Sequence, residues 1–100
     1  MKILIRPRGT TLTEPQRGLL EQQLGRVLGR FGERIDRVIV VLSDAEEAGF
    51  KCCAIEVRIK PQLVKSAHSD PDVFVAVEHA AKRAARSVSR AFETAGLVPR

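Results

Sequence analysis

A two-residue alternation in residues 50–60, FKCCAIEVRIK, constrains the fold of this chain more than any other feature. Every second side chain from Cys53 to Ile59 is apolar, which places these side chains on one face of an extended strand and mainly polar ones on the other. The preceding β-branched segment IDRVIVVLS predicts another strand, from about Arg34 to Ser43, joined to the first in a hairpin by the acidic turn DAEEAG. The two strands therefore predict a sheet with one buried face.

The residues before this hairpin predict an amphipathic helix. Thr13 and Gln16 have the spacing of a capping box, and Pro15 suits a first helical turn, so the helix should begin near Glu14. It should end near Gly32. The apolar side chains that recur on one side at 100° per residue form its buried stripe, which is Leu20, Leu24, Val27, Leu28 and Phe31.

A second helix is predicted near the end of the chain, from about Pro71 to Thr94. Asp70 is the expected N-cap, because a residue before proline avoids the helical region and proline fits the first helical position.

Two further strands complete the element order. Ile3 and Ile5 alternate with polar neighbours and predict a short first strand, and residues 63–69, LVKSAHS, predict a fourth. The order β-α-β-β-β-α predicts an α+β fold in which two helices pack on one face of a four-stranded sheet. We expect one domain over residues 1–95. Residues 96–100 form a tail whose LVPR sequence is either a tag-cleavage scar or a native end.

The last predicted helix separates its charges from its apolar side chains. At 100° per residue, the small apolar residues of AAKRAARSVSR face the sheet and the cations lie opposite. Like charges at i, i+4 spacing repel by some tenths of a kcal/mol, a cost that bound phosphates would reverse. The alternative is an ordinary solvated helix face. We name as the basic stripe the residues His79, Lys82, Arg83, Arg86 and Arg90.

The first helix extends this basic surface. Arg26 and Arg30 share one side of it, and Arg6 and Arg8 precede it in what we expect to be a loop. If the helices lie side by side, these groups and the basic stripe form one surface for a polyanion, in keeping with a formal net charge of +5.

Three glycines project together from the first helix, away from its leucines: Gly18, Gly25 and Gly29. Each costs about 1 kcal/mol of helix propensity relative to alanine. They reflect either drift on an exposed face or a bare strip that lets a nucleic-acid backbone approach closely.

Other chemistry finds little support in the sequence. His68, Ser69 and Asp70 are the residue types of a hydrolase triad, but sequence neighbours cannot converge on one another. His68 and His79 fall on different elements without further ligands. With four Phe and no Trp or Tyr, recognition of RNA backbone and shape is favoured over base stacking. We predict no catalytic residue, no metal site, no cofactor and no small-molecule substrate.

The compartment follows from what the sequence contains. No apolar run is long enough to span a membrane, and the start MKILIRPR lacks the apolar run of a signal peptide, so we expect a cytoplasmic protein without membrane contact. Cys52 and Cys53 are neighbours that point to opposite faces of one strand, so we expect two reduced, structural thiols.

The pattern of the two helices resembles the bacterial ribosome hibernation factors, the family of the hibernation promoting factor and the ribosome-associated inhibitor, also called the sigma-54 modulation proteins. The resemblance covers about residues 2 to 93. At the start of the second helix, DVFVAVE (Asp72 to Glu78) is similar to the family's run of acid, small apolar, aromatic, two alanine-like, aliphatic and acid residues. The other matching positions are Thr13, Glu14, Leu24, Val27, Leu28, Phe31, Ile35, Arg83, Arg86 and Arg90.

This resemblance implies a fold similar to double-stranded RNA-binding domains and a non-enzymatic inhibitor of translation. Such a protein docks on small-subunit rRNA in the decoding region and blocks messenger and transfer RNA. Separately, we expect this chain to be monomeric when free. The chain ends soon after the second helix, so we expect either a short form without the additional C-terminal domain of long members or a fragment of a longer chain. Gln23 stands where the family often has a lysine, and Lys82 where it often has an acid, so we expect the rRNA contacts to differ in detail. The alternatives are a general structured-RNA-binding module and a protein-interaction domain.

Overall fold

The computed structural model describes residues 1–94, and the predicted tail at residues 96–100 lies outside them. The predicted element order and the α+β class are confirmed. The elements are β1 (Lys2–Arg8), α1 (Glu14–Leu28), a 3₁₀ segment (Gly29–Arg34), β2 (Arg37–Asp44), β3 (Lys51–Arg58), β4 (Leu63–Asp70) and α2 (Val73–Thr94).

The four strands form one sheet in the order β1-β2-β3-β4. β1 pairs with β2 in parallel, across the connection that contains α1, and the other two pairs are antiparallel. The core lies between one face of this sheet and the two helices. The strands contribute alternate residues to it, such as Val38 and Val40 of β2 and Ile55 and Val57 of β3, while α1 contributes Leu20, Leu24 and Leu28. The opposite side of the sheet, which no helix covers, is called the open face below.

Each helix departs from the sequence prediction at one end, α1 at its C-terminus and α2 at its N-terminus, while α1 begins at Glu14 and α2 ends at Thr94 as predicted. Thr13 and Gln16 do form the capping box of α1, but α1 ends at Leu28 and not near Gly32. A 3₁₀ segment follows, and Gly32 inside it has φ 55°, a conformation that favours glycine.

The predicted cap of α2 is wrong. Asp70 is still part of β4, where it pairs with Lys51 of β3, and its carboxylate accepts a hydrogen bond from the amide of Asp72 at 2.9 Å. Asp72 caps the helix instead, because its carboxylate accepts from the amide of Phe74 at 2.8 Å.

Small residues let α2 lie close to β3 and β4. The alanines on its inner side are at most 4% exposed, and the hydroxyl of Ser66 on β4 donates to the carbonyl of Ala80 at 2.8 Å. This close packing fixes the rotation of α2, so its charged side points to solvent. The inner alanines are Ala76, Ala80, Ala81, Ala84 and Ala85.

The two cysteines are free, as predicted. Cys53 is buried in the core, and its desolvation, with a smaller effect of Cys52, raises the pKa of the thiol to about 12. This thiol is therefore neutral and unreactive. Within residues 1–94, neither helix is both long enough and apolar enough to cross a bilayer.

Candidate nucleic-acid interface

Gln23 of α1 joins the two helices at the floor of the surface between them. Its amide nitrogen donates to the carbonyl of Phe74 at 2.8 Å and to the carboxylate of Glu78 at 3.0 Å. Both partners are acceptors, which determines the orientation of the amide. Its buried oxygen has no partner among the described residues.

Glu78 is the centre of a charged cluster. It pairs with Arg26 of α1 at 3.1 Å and with Lys82, one turn along α2, at 3.2 Å. The hydrogen bond from Gln23, together with the two cations, lowers the pKa of Glu78 to about 2 although partial burial opposes this. The carboxylate of Glu78 therefore lies between a cation of α1 and a cation of the basic stripe. Arg26 and Lys82 lie on the predicted surface, but one carboxylate partly neutralises both.

Glu78→Gln should destabilise the fold above pH 4.5 by about 1 kcal/mol, since the two ion pairs are partly exposed and solvent weakens them. A carboxyl group with a lowered pKa in the folded state contributes its stability above its unfolded pKa and loses it as the pH falls from about 4.5 to about 2. The difference in unfolding temperature between the two proteins should therefore shrink over this interval. Glu21→Gln, the same charge change at an exposed position of α1, is the control. A difference in unfolding temperature that does not change with pH would contradict the lowered pKa of Glu78.

The part of the basic stripe formed by Arg83, Arg86 and Arg90 is available to bind anions. Arg86 and Arg90 are exposed, and neither forms a salt bridge within residues 1–94. Arg83 lies toward β4 and donates one guanidinium hydrogen bond to the carbonyl of Ala67 at 3.2 Å. Since guanidinium carries five N–H donors, Arg83 keeps others for a ligand. The stripe thus extends across α2 from the side of α1 to the edge of β4.

Arg30 and Arg34 extend this surface at the end of α2. Arg30 reaches the hydroxyl of Ser89 at 3.4 Å, and its guanidinium lies 4.7 Å from the centre of the Phe31 ring. Arg34 lies 5.0 Å from the centre of the Phe92 ring. Sequence reasoning missed Arg34 by assigning it to a strand, although its spacing of four from Arg30 was a signal that the two could lie together.

Arg8 does not belong to this surface, contrary to the prediction. It is the last residue of β1 and not part of a loop. Because Ile5 faces the core and side chains alternate along a strand, Arg6 and Arg8 lie on the open face. The predicted surface therefore includes cations of α1, α2 and the 3₁₀ segment only.

His79 lies at the edge of the stripe with its ring 4.6 Å from that of His68 on β4. The sequence placed the two histidines on different elements, and the fold brings them together. Residues 1–94 hold no group of three or more His, Cys, Asp or Glu side chains arranged for a metal ion.

The glycine strip has open space in front of it. A methyl group added at Gly18, Gly25 or Gly29 would meet no heavy atom within 4 Å. Gly25→Ala with Gly29→Ala should therefore raise stability by about 1 kcal/mol, mainly through Gly25 inside α1, and, if the strip admits an RNA backbone, weaken RNA binding. Thermal unfolding and RNA titration of the double variant measure the two effects. An unchanged affinity for RNA would reject the hypothesis that an RNA backbone approaches the strip.

This chain matches a family model in sequence and solved proteins in structure. The family model described as sigma 54 modulation protein / S30EA ribosomal protein matches residues 3–94. A ribosomal subunit interface protein from Coxiella burnetii has a similar structure, with a TM-score of 0.79 and 16% identity over 90% of this chain and 96% of that one. The N-terminal domain of Thermus thermophilus Protein Y has a TM-score of 0.70 and 28% identity over 89% of this chain and 93% of that domain. No curated protein matches the sequence.

Proposed function

This chain belongs to the family of sigma 54 modulation proteins and S30EA ribosomal proteins, and from this membership we propose that it is a cytoplasmic, non-enzymatic inhibitor of translation that binds the small ribosomal subunit. The basic stripe contacts rRNA in the decoding region. The bound domain then occupies the space of messenger and transfer RNA, so inhibition requires no chemical step.

One observation carries this proposal: Arg83, Arg86 and Arg90 lie on the solvent side of one rigid helix without a carboxylate partner in the described residues. Guanidinium groups match phosphate oxygens in a bidentate geometry, and each phosphate that is neutralised releases counterions. The neighbouring Arg30 and Lys82 add to the same field. Because the backbone of α2 is already ordered, docking on folded RNA costs mainly the rotamer entropy of these side chains.

Competition with transfer RNA on purified small subunits tests the proposal. We expect the protein and a transfer RNA bound in the decoding region to exclude each other, with an affinity that falls steeply as salt rises. Steep salt dependence without competition would instead favour a general structured-RNA-binding module. Weak salt dependence would favour a protein-interaction domain.

A further inference from the structure

The open face of the sheet carries an excess of positive charge, although it lies on the opposite side of the sheet from the basic stripe. Register places its side chains in rows across the strands, and the row at one end contains Lys2, Arg37 and Arg58, each directly beside the next, with Leu63 following on β4. Along the edge strand β1, Arg6 and Arg8 follow on the same face.

Carboxylates do not balance these cations. Glu56 is the one carboxylate on the open face of the four strands, and Lys65 beside it already pairs with it at 3.8 Å. None of the five other cations forms an ion pair within residues 1–94. Like charges directly opposite each other on neighbouring strands destabilise a sheet. The row of Lys2, Arg37 and Arg58 therefore opposes folding unless an anion binds it.

We propose that the open face is a second RNA-binding surface, which holds a phosphodiester strand along the row of Lys2, Arg37 and Arg58 and the adjoining edge of β1. This inference rests on the proposed function in one respect, which is that the ligand is RNA. The domain would then contact RNA on both sides, with the basic stripe on one segment and the open face on another.

The spacing and chemistry of the face favour RNA over other occupants. Alternate residues of β1 lie about 6.6 Å apart, which is the separation of Arg6 and Arg8, while Leu4 stands between Arg6 and Lys2. These two arginines and the row form an array of cations along which an extended polyanion can lie. Ile39 and Val41 lie beside the array and offer apolar contact to ribose and base surfaces. A second copy of this chain is disfavoured, because two such faces would place arginines against arginines.

The test uses a row variant, Lys2→Gln with Arg37→Gln and Arg58→Gln, and a single-stranded oligouridylate of about 20 nucleotides as the probe. Three lost phosphate contacts should reduce the slope of log K against log salt by about 2, at about 0.7 per contact, and weaken binding about 100-fold at 0.1 M salt. Relief of repulsion should raise the unfolding temperature by about 2 to 6 °C, which shows that the variant folds.

Glu56→Gln with Lys65→Gln is the matched control, because it removes a neutral pair from the same face. Its slope should equal that of the unmodified protein. An unchanged slope in the row variant overturns the proposal, as does a polyglutamate peptide that binds the unmodified open face more tightly than RNA does. Binding to small ribosomal subunits separates the two proposals. If the row variant loses binding and the protein with a charge-reversed basic stripe keeps it, the open face is supported and the proposed stripe site is overturned.

Discussion

Reversal of Arg83, Arg86 and Arg90 to glutamate is expected to abolish association with small ribosomal subunits while leaving the fold intact. The three reversals change the charge by six and bring the formal net charge from +5 to −1. Three phosphate contacts at a slope of about 0.9 each account for a loss of about 500-fold at 0.1 M salt, and the new repulsion adds to it. Sedimentation with purified small subunits at low salt measures the loss.

The fold should tolerate these changes because none of the three side chains contributes to the core. All three are exposed, and the hydrogen bond from Arg83 to the carbonyl of Ala67 is the one side-chain hydrogen bond that the reversal removes within residues 1–94. Circular dichroism and thermal unfolding should match those of the unmodified protein. Retained sedimentation of the folded variant would reject the basic stripe as the ribosome-binding site.

A matched set of neutral variants separates local contacts from net charge. Glutamine at the three arginines leaves the same net charge as glutamine at three lysines that each pair with an acid on or near the sheet. We expect the arginine set to lose most of its affinity and the lysine set to lose little. Equal losses would mean that net charge, and not the stripe, determines binding. The control lysines are Lys51, Lys60 and Lys65.

The fold was predictable because its signals are local. Alternation at Cys53 to Ile59 and the leucines of α1 each specify one element and its buried side, and both are confirmed by burial. The error at the start of α2 occurred where two nearby residues satisfy the same rule. Asp70 and Asp72 are both good caps, and pairing of Asp70 with β3 decided between them.

The surface was less predictable, since its charges interact across elements. Glu78 contacts Arg26, which is 52 positions away in the sequence, and a helical projection of α2 alone cannot show this ion pair. Arg8 shows the other limit. Moving the end of β1 to include Arg8 turns a loop residue into a residue of the open face, because side-chain direction alternates with each position.

Leu24→Ala should produce the largest loss of stability among the changes considered. Leu24 is 0% exposed at the centre of the stripe by which α1 covers the core. Truncation of a buried leucine costs about 2 to 5 kcal/mol, which is a large part of the 5 to 15 kcal/mol that holds a typical domain folded. A loss of about 3 kcal/mol lowers the unfolding temperature by about 12 to 24 °C. Far-ultraviolet circular dichroism is the suitable measurement, since the chain has no Trp or Tyr.

Leu19→Ala is the matched control, because Leu19 lies on the same helix and is 54% exposed. It should change stability by no more than about 0.5 kcal/mol. Equal losses of stability at the two positions would mean that α1 does not cover the core as described. The side-by-side arrangement of the helices, which places Arg26 and Arg30 next to α2, would then also be wrong. Below its unfolding temperature, the Leu24 variant should still bind small subunits, and the slope of log K against log salt should be unchanged. Core packing determines the fraction of the protein that is folded, whereas the cations determine the affinity of the folded protein and its dependence on salt.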